Sequence, residues 1–508
     1  MLKQINMKKT ILILSMVVLA LASQAQHIYN NNARIVSETG SYWVLDNGSF
    51  ALTSANATNL AQFDNLVINS NSSLTLGTVA SPAYLTVTGT LANNSGNDGL
   101  VIPSGSSLIE SSGATAMVTL NIAPGEWHLI SVPTDNASTG IFDGHYLQTH
   151  TESSNAYTDM TNPGLVLTPM KGYAVWGDLL DNQVTYVGPL NAGYESFATT
   201  NSGTGKGWNL VGNPYPSSID WKAASGWTKT NVTEAIYVHK DAASWATFVD
   251  NTGANGGTQY IAPGQGFFVE AFANVTLAMT DDVRVHNATT FFKSSEQVVP
   301  NLIRLQVSGN GYNDEAVLRF LGEATSEFDG NYDAHKLFGD VAEAAQIYST
   351  GSIPLSINSM PETDVVPVGV KAGVSGTYTI AATEINDLQY ATLEDTKTGI
   401  FTELANNAYT FSIVKGENEM RFKLHFSMTA VPDNKSVAAN IYSYRKTAYI
   451  NLKSGVEGNI FIYNVAGQLI ETRLSARDMN EISLRNTGNY IVKIVSDRST
   501  EVKKIFIQ

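Results

Sequence analysis

The sequence predicts an all-β, multi-domain protein: a short β-solenoid, two tandem duplicated β modules, a β-sandwich and a small seven-stranded C-terminal domain. Three observations predict it. Charged residues make up only 15% of the 508-residue chain, while its 41 glycines supply turns between strands. Apolar residues alternate with polar ones in short runs, and no long helical period appears. Two internal repeats divide the chain, the mark of stacked or duplicated units. At about 100–200 residues per domain, the length suits roughly three to five domains.

The first element is a leader. From Met7 the chain reads MKKTILILSMVVLALASQAQ. Lys8 and Lys9 give a positive start, and Ile11 to Ala22 is apolar. Ser23 and Ala25 are the small residues a signal peptidase requires. The pattern predicts a signal peptide over 1–25, cut between Ala25 and Gln26. The alternative, a membrane anchor, needs about twenty apolar residues where this run has about twelve. No other segment is apolar and long enough, so the mature protein is expected to lack a transmembrane segment.

Region 26–118 carries the first repeat. NLVINSNSSL (65–74) and GLVIPSGSSL (99–108) agree at seven of ten positions, 34 residues apart. YLTVTGTL (84–91) lies between them. Short strands at steps of about 15–19 residues, with Ser/Asn/Gly turns, predict successive rungs of a solenoid. An ordinary sandwich with serine-rich turns is the alternative.

Regions 119–198 and 199–297 are the duplicated modules. Trp127-His128-Leu129-Ile130 matches Trp208-Asn209-Leu210-Val211, and Pro133 matches Pro214. Further on, Pro169, Gly172 and Tyr173 match Pro263, Gly266 and Phe267. The offset grows from 81 to 94, so the second copy has a longer middle. Each copy opens on a Trp-bearing strand and closes on a Pro/Gly turn that feeds an aromatic strand. GNPYPS, 212–217, is expected to be a scaffold turn, with Pro214 and Pro216 fixing φ and Gly212 allowing an unusual backbone conformation.

Region 298–430 alternates Arg304, Arg319, Arg421 and Lys423 with apolar neighbours, which predicts half-buried antiparallel strands of a sandwich. Residues 328–349 are expected to be a long loop with one short helical turn. Residues 429–440 have linker composition. Region 431–508 holds this linker and the last domain, with strands TAYINL, GNIFIYNV, QLIETRL, NEISL, GNYIVKIVS and EVKKIFIQ. A first strand near Ile441 brings the count to seven.

The pieces IFIYNVAGQLI, TGNYIVKIVS and KKIFIQ make the last domain resemble the type A, Ig-like C-terminal sorting domain of cargo of the Bacteroidetes type IX secretion system. Gly467, Gly488, Tyr490 and Lys504 fall on that pattern. The Pro-Asn-Pro turn that often opens the family's domain is replaced by IYSYRKTAYI. The resemblance implies passage of the inner membrane by a signal peptide, then recognition by the type IX secretion machinery. It also implies release, or attachment to the outer surface of the outer membrane. The remaining regions resemble an arrangement found in large adhesin-like surface proteins of the same bacteria.

Composition and motifs bound the chemistry. The formal charge of −15 becomes −18 once Lys3, Lys8 and Lys9 leave with the leader, so nucleic acid and anionic membranes are repelled. The absence of cysteine excludes disulfides and thiolate sites. No H-E-x-x-H or G-x-S-x-G motif occurs. SGTGKGW (202–208) lacks phosphate-loop spacing and reads as a turn. Asp281-Asp282 and Asp329 with Asp333 lack calcium-loop spacing and read as surface carboxylates. Residues 35–118 contain no Lys or Arg, which argues against cleavage of acidic polysaccharide. No cofactor is expected.

Six of the seven tryptophans lie between Trp127 and Trp245. Trp127 and Trp208 share a repeat position and are expected in cores. Trp221, Trp227 and Trp245 have no counterpart in the first copy, and are the candidates for stacking on an extracellular glycan. The leading expectation is a non-enzymatic adhesin-like protein. The alternatives are a secreted glycan-active enzyme and a structural stalk.

Overall fold

The computed structural model describes residues 26–29, 35–53, 61–177, 182–203, 207–287, 298–350, 353–427, 439–453, 457–496 and 500–508. The leader with Ala25, and residues 429–438 of the expected linker, lie outside them. The described residues form strands joined by turns and three short 3-10 segments. The class is all-β. No helix among them is long and apolar enough to cross a membrane. The chain divides into two compact units between Leu424 and His425.

The first unit opens as a coil with three parallel ladders. One stacks Gln26–Tyr29, Ser49–Thr53, Ser73–Thr78, Leu100–Ile102 and Thr115–Asn121. The second stacks Ile35–Val36, Ala61–Phe63, Tyr84–Val87 and Ser107–Ile109. The third stacks Tyr42–Leu45, Asn65–Ile68 and Leu91–Asn93. The chain visits the ladders in one cyclic order until the last turn, which passes from Ser107–Ile109 to Thr115–Asn121 without a strand in the third. Ser49 stacks on Ser73 and Ala61 on Leu85, a turn of 24 residues. This corrects the step of about 15–19. The repeat at 34 also fails to stack: Asn65–Ile68 is in the third ladder, and its match Leu100–Ile102 in the first. A shift of 34 advances one turn plus one side. All three sides demand the same thing, an inward Leu or Ile and then a small turn residue, so one sequence serves any side.

Inward residues such as Leu52, Leu66, Ile68, Leu76, Leu85 and Leu100 are fully buried. A corner asparagine ties neighbouring turns. Asn65 Nδ2 donates to Ser41 O on one turn, at 3.1 Å, and its Oδ1 accepts Thr90 N–H from the next, at 2.9 Å. Thr115–Asn121 then pairs antiparallel with Gln183–Pro189 of the first module, which covers an otherwise open sheet edge. That strand crosses the expected boundary at 118.

The two modules repeat one pairing. Ile130 faces Tyr173 and Val211 faces Phe267, at the positions the sequence matched. In the first copy Trp127–Ile130, Tyr173–Trp176, Tyr146–Thr151 and Ala156–Asp159 lie side by side. The second copy orders Trp208–Gly212, Gly266–Glu270, Ile236–Asp241 and Ser244–Val249 alike, and adds Thr252–Ala254. The copies clasp each other reciprocally. Ser131 N–H donates to Gly264 O at 2.8 Å, and its counterpart Gly212 N–H donates to Met170 O at 3.0 Å. Met170 and Gly264, themselves counterparts, both have positive φ, 59° and 65°.

Gly212 is needed here for space and not for an unusual φ, which corrects the sequence reading. A Cβ on Gly212 would lie 2.3 Å from Ser131 Cβ, and one on Gly172 would lie 2.5 Å from Val211 O. The glycines let the two backbones touch.

Residues 298–424 form a sandwich-like body around one long, folded sheet. Leu302–Gly309 pairs antiparallel with Tyr312–Phe320 and with Gly376–Asn386. Tyr312–Phe320 also pairs with Pro354–Met360 in parallel, an exception to the antiparallel expectation. Arg421 is buried, not half-buried. Its Nε and Nη2 donate to the two Asp395 oxygens at 2.8 and 2.6 Å. Burial works to raise the Asp395 carboxyl, but Arg421, Tyr409 and the Lys397 N–H hold it well below the usual carboxylate range.

The segment 328–345 has no helical turn. It contains the short strand Ala334–His335 and docks this body onto the second module. Asp333 is buried, which corrects the surface reading. Its carboxylate accepts Asp329 N–H and Ser359 N–H at 2.8 and 2.7 Å, and burial raises its pKa to about 6. His335 Nε2 lies 2.9 Å from Glu270 Oε2, and buried Lys336 bonds buried Asp314.

The second unit is a seven-stranded sandwich. Ala439–Tyr444, Thr447–Leu452 and Met479–Ser483 form one sheet. Leu469–Ala476, Gly458–Asn464, Gly488–Val495 and Thr500–Ile507 form the other. Ile450, Ile460, Ile462, Val492, Ile494 and Ile507 fill the space between them.

Candidate functional site

GNPYPS sits where the coil and both modules meet. Asn213 is fully buried and holds the turn shut. Its Nδ2 donates to the carbonyls of Ser217, Ala262 and Ile261 at 2.7, 2.9 and 3.2 Å, and its Oδ1 accepts Tyr215 N–H at 3.0 Å. The carbonyls that the prolines leave exposed serve as struts. Pro214 O accepts from Asn191 of the first module at 3.0 Å, and Pro216 O accepts Leu108 N–H of the coil at 2.8 Å.

Sequence reasoning missed the clasp beside this turn. Arg284, with its side chain buried, donates from Nη2 to Leu108 O at 2.7 Å and from Nη1 to Glu110 O at 2.6 Å. It also reaches Ser217 Oγ at 3.0 Å and Asp281 Oδ1 at 2.9 Å. Two residues on, His286 Nδ1 meets Ser107 Oγ at 2.8 Å and Nε2 meets Thr86 Oγ1 at 2.9 Å. Its ring stacks on Tyr84. Burial, aided by the Arg284 charge, lowers the His286 pKa to about 4.

This clasp makes stability depend on pH. The folded pKa lies below the ordinary value, so the unfolded chain binds the proton more tightly between about pH 4 and 6.5. Stability is therefore full above that window and is lost as pH falls through it, by at most about 3 kcal/mol. Asp333 and Glu195 titrate in the opposite sense. The measurement is therefore the difference in melting temperature between the wild type and His286→Gln, across pH 7 to 4. A constant difference would contradict the assignment.

Beside the clasp lies a groove of about 320 Å³. Pro82, Pro103, Pro133, Pro216 and Pro263 line it, with Tyr84 and Tyr186. Among the described residues, no carboxylate, histidine, lysine or arginine contributes to its wall. Two hydroxyls point its chemistry. Thr119 Oγ1 accepts Ser104 N–H and Ser104 Oγ accepts Asn121 N–H, both at 3.2 Å, so each retains its own O–H to donate. The groove suits a neutral ligand with apolar faces and hydrogen-bond acceptors.

The tryptophan expectation does not hold. Trp221 is fully buried, its Nε1 donates to Glu234 O at 2.9 Å, and Lys229 lies over its ring. Trp227 is half-buried and packs edge-on against Trp221. Trp245 is half-buried in a different cluster, edge-on to His239 and Phe268. The three rings form no shared flat face. Trp221 and Trp227 help to build the core of the second module, and Trp245 packs in a cluster shared with the first module and the sandwich.

SGTGKGW likewise has an internal partner. Ser202 and Gly207 N–H donate to Glu152 Oε1 of the first module at 2.9 and 2.8 Å. Lys206 lies outside the described residues. Among those described, no three His, Asp or Glu side chains converge as a metal site. Glu195 stands apart: burial and the nearby charge of Asp135 raise its carboxyl to about 7.

In the second unit the four motif residues have separate roles. Gly467, at φ 78°, turns the hairpin after Gly458–Asn464, with its N–H bonded to Asn464 O. Gly488 has φ 153° at a strand start. Tyr490 is buried, and its hydroxyl donates to Asn486 O at 3.0 Å, fixing the preceding corner. Lys504 is exposed on the last strand.

A family model described as a domain of unknown function (DUF8693) matches residues 30–426. The chain belongs to this family. A second model, described as a secretion system C-terminal sorting domain, matches residues 445–508. This DUF8693 protein is type IX secretion cargo, and such cargo is secreted or attached to the cell surface. The DUF8693 match ends where the first compact unit does, within two residues. No curated protein matches the sequence. Among solved structures, the BSP domain of a biofilm associated protein aligns over 77% of this chain and 92% of its own. The identity is 11% and the TM-score 0.13.

Proposed function

We propose that this type IX cargo is an adhesin-like, non-catalytic protein that holds a neutral glycan in the proline-lined groove. The leader 1–25 takes it across the inner membrane. What carries the reading is the chemistry of the groove wall: prolines and tyrosines for the faces of a sugar ring, and the Ser104 and Thr119 hydroxyls for its oxygens. Around the groove, buried Arg284 and half-buried His286 and Asp281 are committed to bonds that tie the second module to the coil and to the first module, which suits a stiff body that presents a surface.

The test is a glycan array probed with the purified secreted protein. Ala80 lines the groove and is exposed, so Ala80→Trp blocks it without disturbing a core. Binding is expected to be weak, to be lost in Ala80→Trp, and to change little with salt because no charge pairing is involved. Binding unaffected by Ala80→Trp would remove the groove from the function. Release of reducing sugar that disappears in Glu195→Gln would replace the adhesin reading with an enzyme.

A further inference from the structure

The second unit leaves one broad face uncovered. Strand alternation in its four-stranded sheet sends Ile460, Ile462, Tyr490, Val492, Ile494 and Ile505 inward, where they are buried. The opposite side carries Phe461, Ile491, Val502 and Phe506, with Val502 and Phe506 59% and 51% exposed. The pairing makes them one patch: Phe461 lies beside Lys493, Lys493 beside Val502, and Ile491 beside Lys504. Both lysines therefore stand inside the apolar patch. The acidic residues of this sheet's described strands, Glu471 and Glu501, pair with inward Ile462 and Ile494, so neither alternates onto the patch.

Such a face is unexpected in this chain, whose 45 acidic residues outnumber its 30 lysines and arginines. An uncovered apolar patch of this kind marks a docking surface. We propose that this outer face, centred on Ile491 and Val502, is where the secretion machinery grips the protein. The proposal rests on the chain being type IX cargo. The occupant is a protein component of that system, with an apolar centre and carboxylates placed opposite Lys493 and Lys504. The charge pattern favours a protein over a bilayer. Two lysines at an anionic membrane contribute only about 1 kcal/mol each, whereas two desolvated lysines that meet fixed carboxylates select one partner and one orientation.

The experiment follows export of the full-length protein in a host with an active type IX system. Surface and medium fractions are compared with periplasm for wild type, Ile491→Glu/Val502→Glu, Lys493→Glu/Lys504→Glu and Tyr442→Glu. Tyr442 is 43% exposed on the other sheet and serves as the control. Each purified variant is also melted. The two patch variants are expected to lose export about tenfold or more, as when central contacts of an interface are broken. Their melting should match wild type, and Tyr442→Glu should export normally. If the glutamates unfold the unit, Val502→Thr/Phe506→Ser, which removes apolar area without charge, must still reduce export. Normal export of the folded patch variants overturns the proposal, as does an equal loss in Tyr442→Glu. So does a purified wild-type dimer that the patch variants make monomeric, since the face would then belong to a second copy. Normal export of a protein lacking residues 438–508 would overturn the type IX reading itself.

Discussion

Removal of residues 438–508 is expected to leave the protein folded in the periplasm and absent from the cell surface. The two halves of this expectation have separate grounds. Folding should survive because the first unit is compact by itself and carries hydrophobic clusters of its own. The cluster of Ile450, Ile460, Val492 and Ile507 contains no residue of the first unit. The clusters of the coil and of the modules, including the one that reaches Leu302, Val317 and Ile357 of the sandwich, contain no described residue of the second. The truncated protein should therefore melt at the temperature of the first unit in the intact chain. Export should fail because the sorting domain, residues 445–508, is the segment that addresses the chain to its secretion system. The check is protease treatment of intact cells beside a periplasmic extract. Truncated protein digested on intact cells at wild-type level would contradict it.

How much of this was legible in the sequence depends on how local each signal is. The second unit was read down to its strand count because its hairpins join neighbouring strands. Gly467 and Asn464 mark one turn within four residues. The duplication was legible for a different reason. Backbone contact between the copies demands small residues at 172, 212 and 266, and those demands leave a repeated pattern.

The turn length of the coil was not legible, since its three sides ask for the same residues and a repeat cannot say which side it lies on. Trp221 was misread because its burial depends on Trp227 and on Phe267, 46 positions away, which only the fold brings together. The groove was invisible for the same reason. Its five prolines come from five separate segments of the coil and both modules.

Arg284 is the extreme case, and its replacement should have the largest effect on stability. Nothing in DDVRVH distinguishes it from a surface arginine. Its main partners are backbone carbonyls 176 and 174 residues earlier, on the last strand of the coil's second ladder and just beyond. Arg284→Ala would leave those carbonyls buried without donors. It would also strand Asp281 and expose the Glu110 region, where burial already raises the carboxyl against the pull of Ser112 and Arg284.

Loss of one partner from a buried, charge-assisted cluster costs about 3–5 kcal/mol. Arg284→Lys should recover little, because one ammonium cannot meet four acceptors that a planar guanidinium reaches together. Urea denaturation of the purified protein gives the magnitude. Hydrogen exchange gives the location: protection should fall first along Ser107–Ile109 and Tyr84–Val87, the strands the clasp holds, and remain in the second unit. A midpoint change below about 1 kcal/mol, the range of an exposed ion pair, would mean that Leu108 and Glu110 are held by the remaining contacts of GNPYPS and His286 alone.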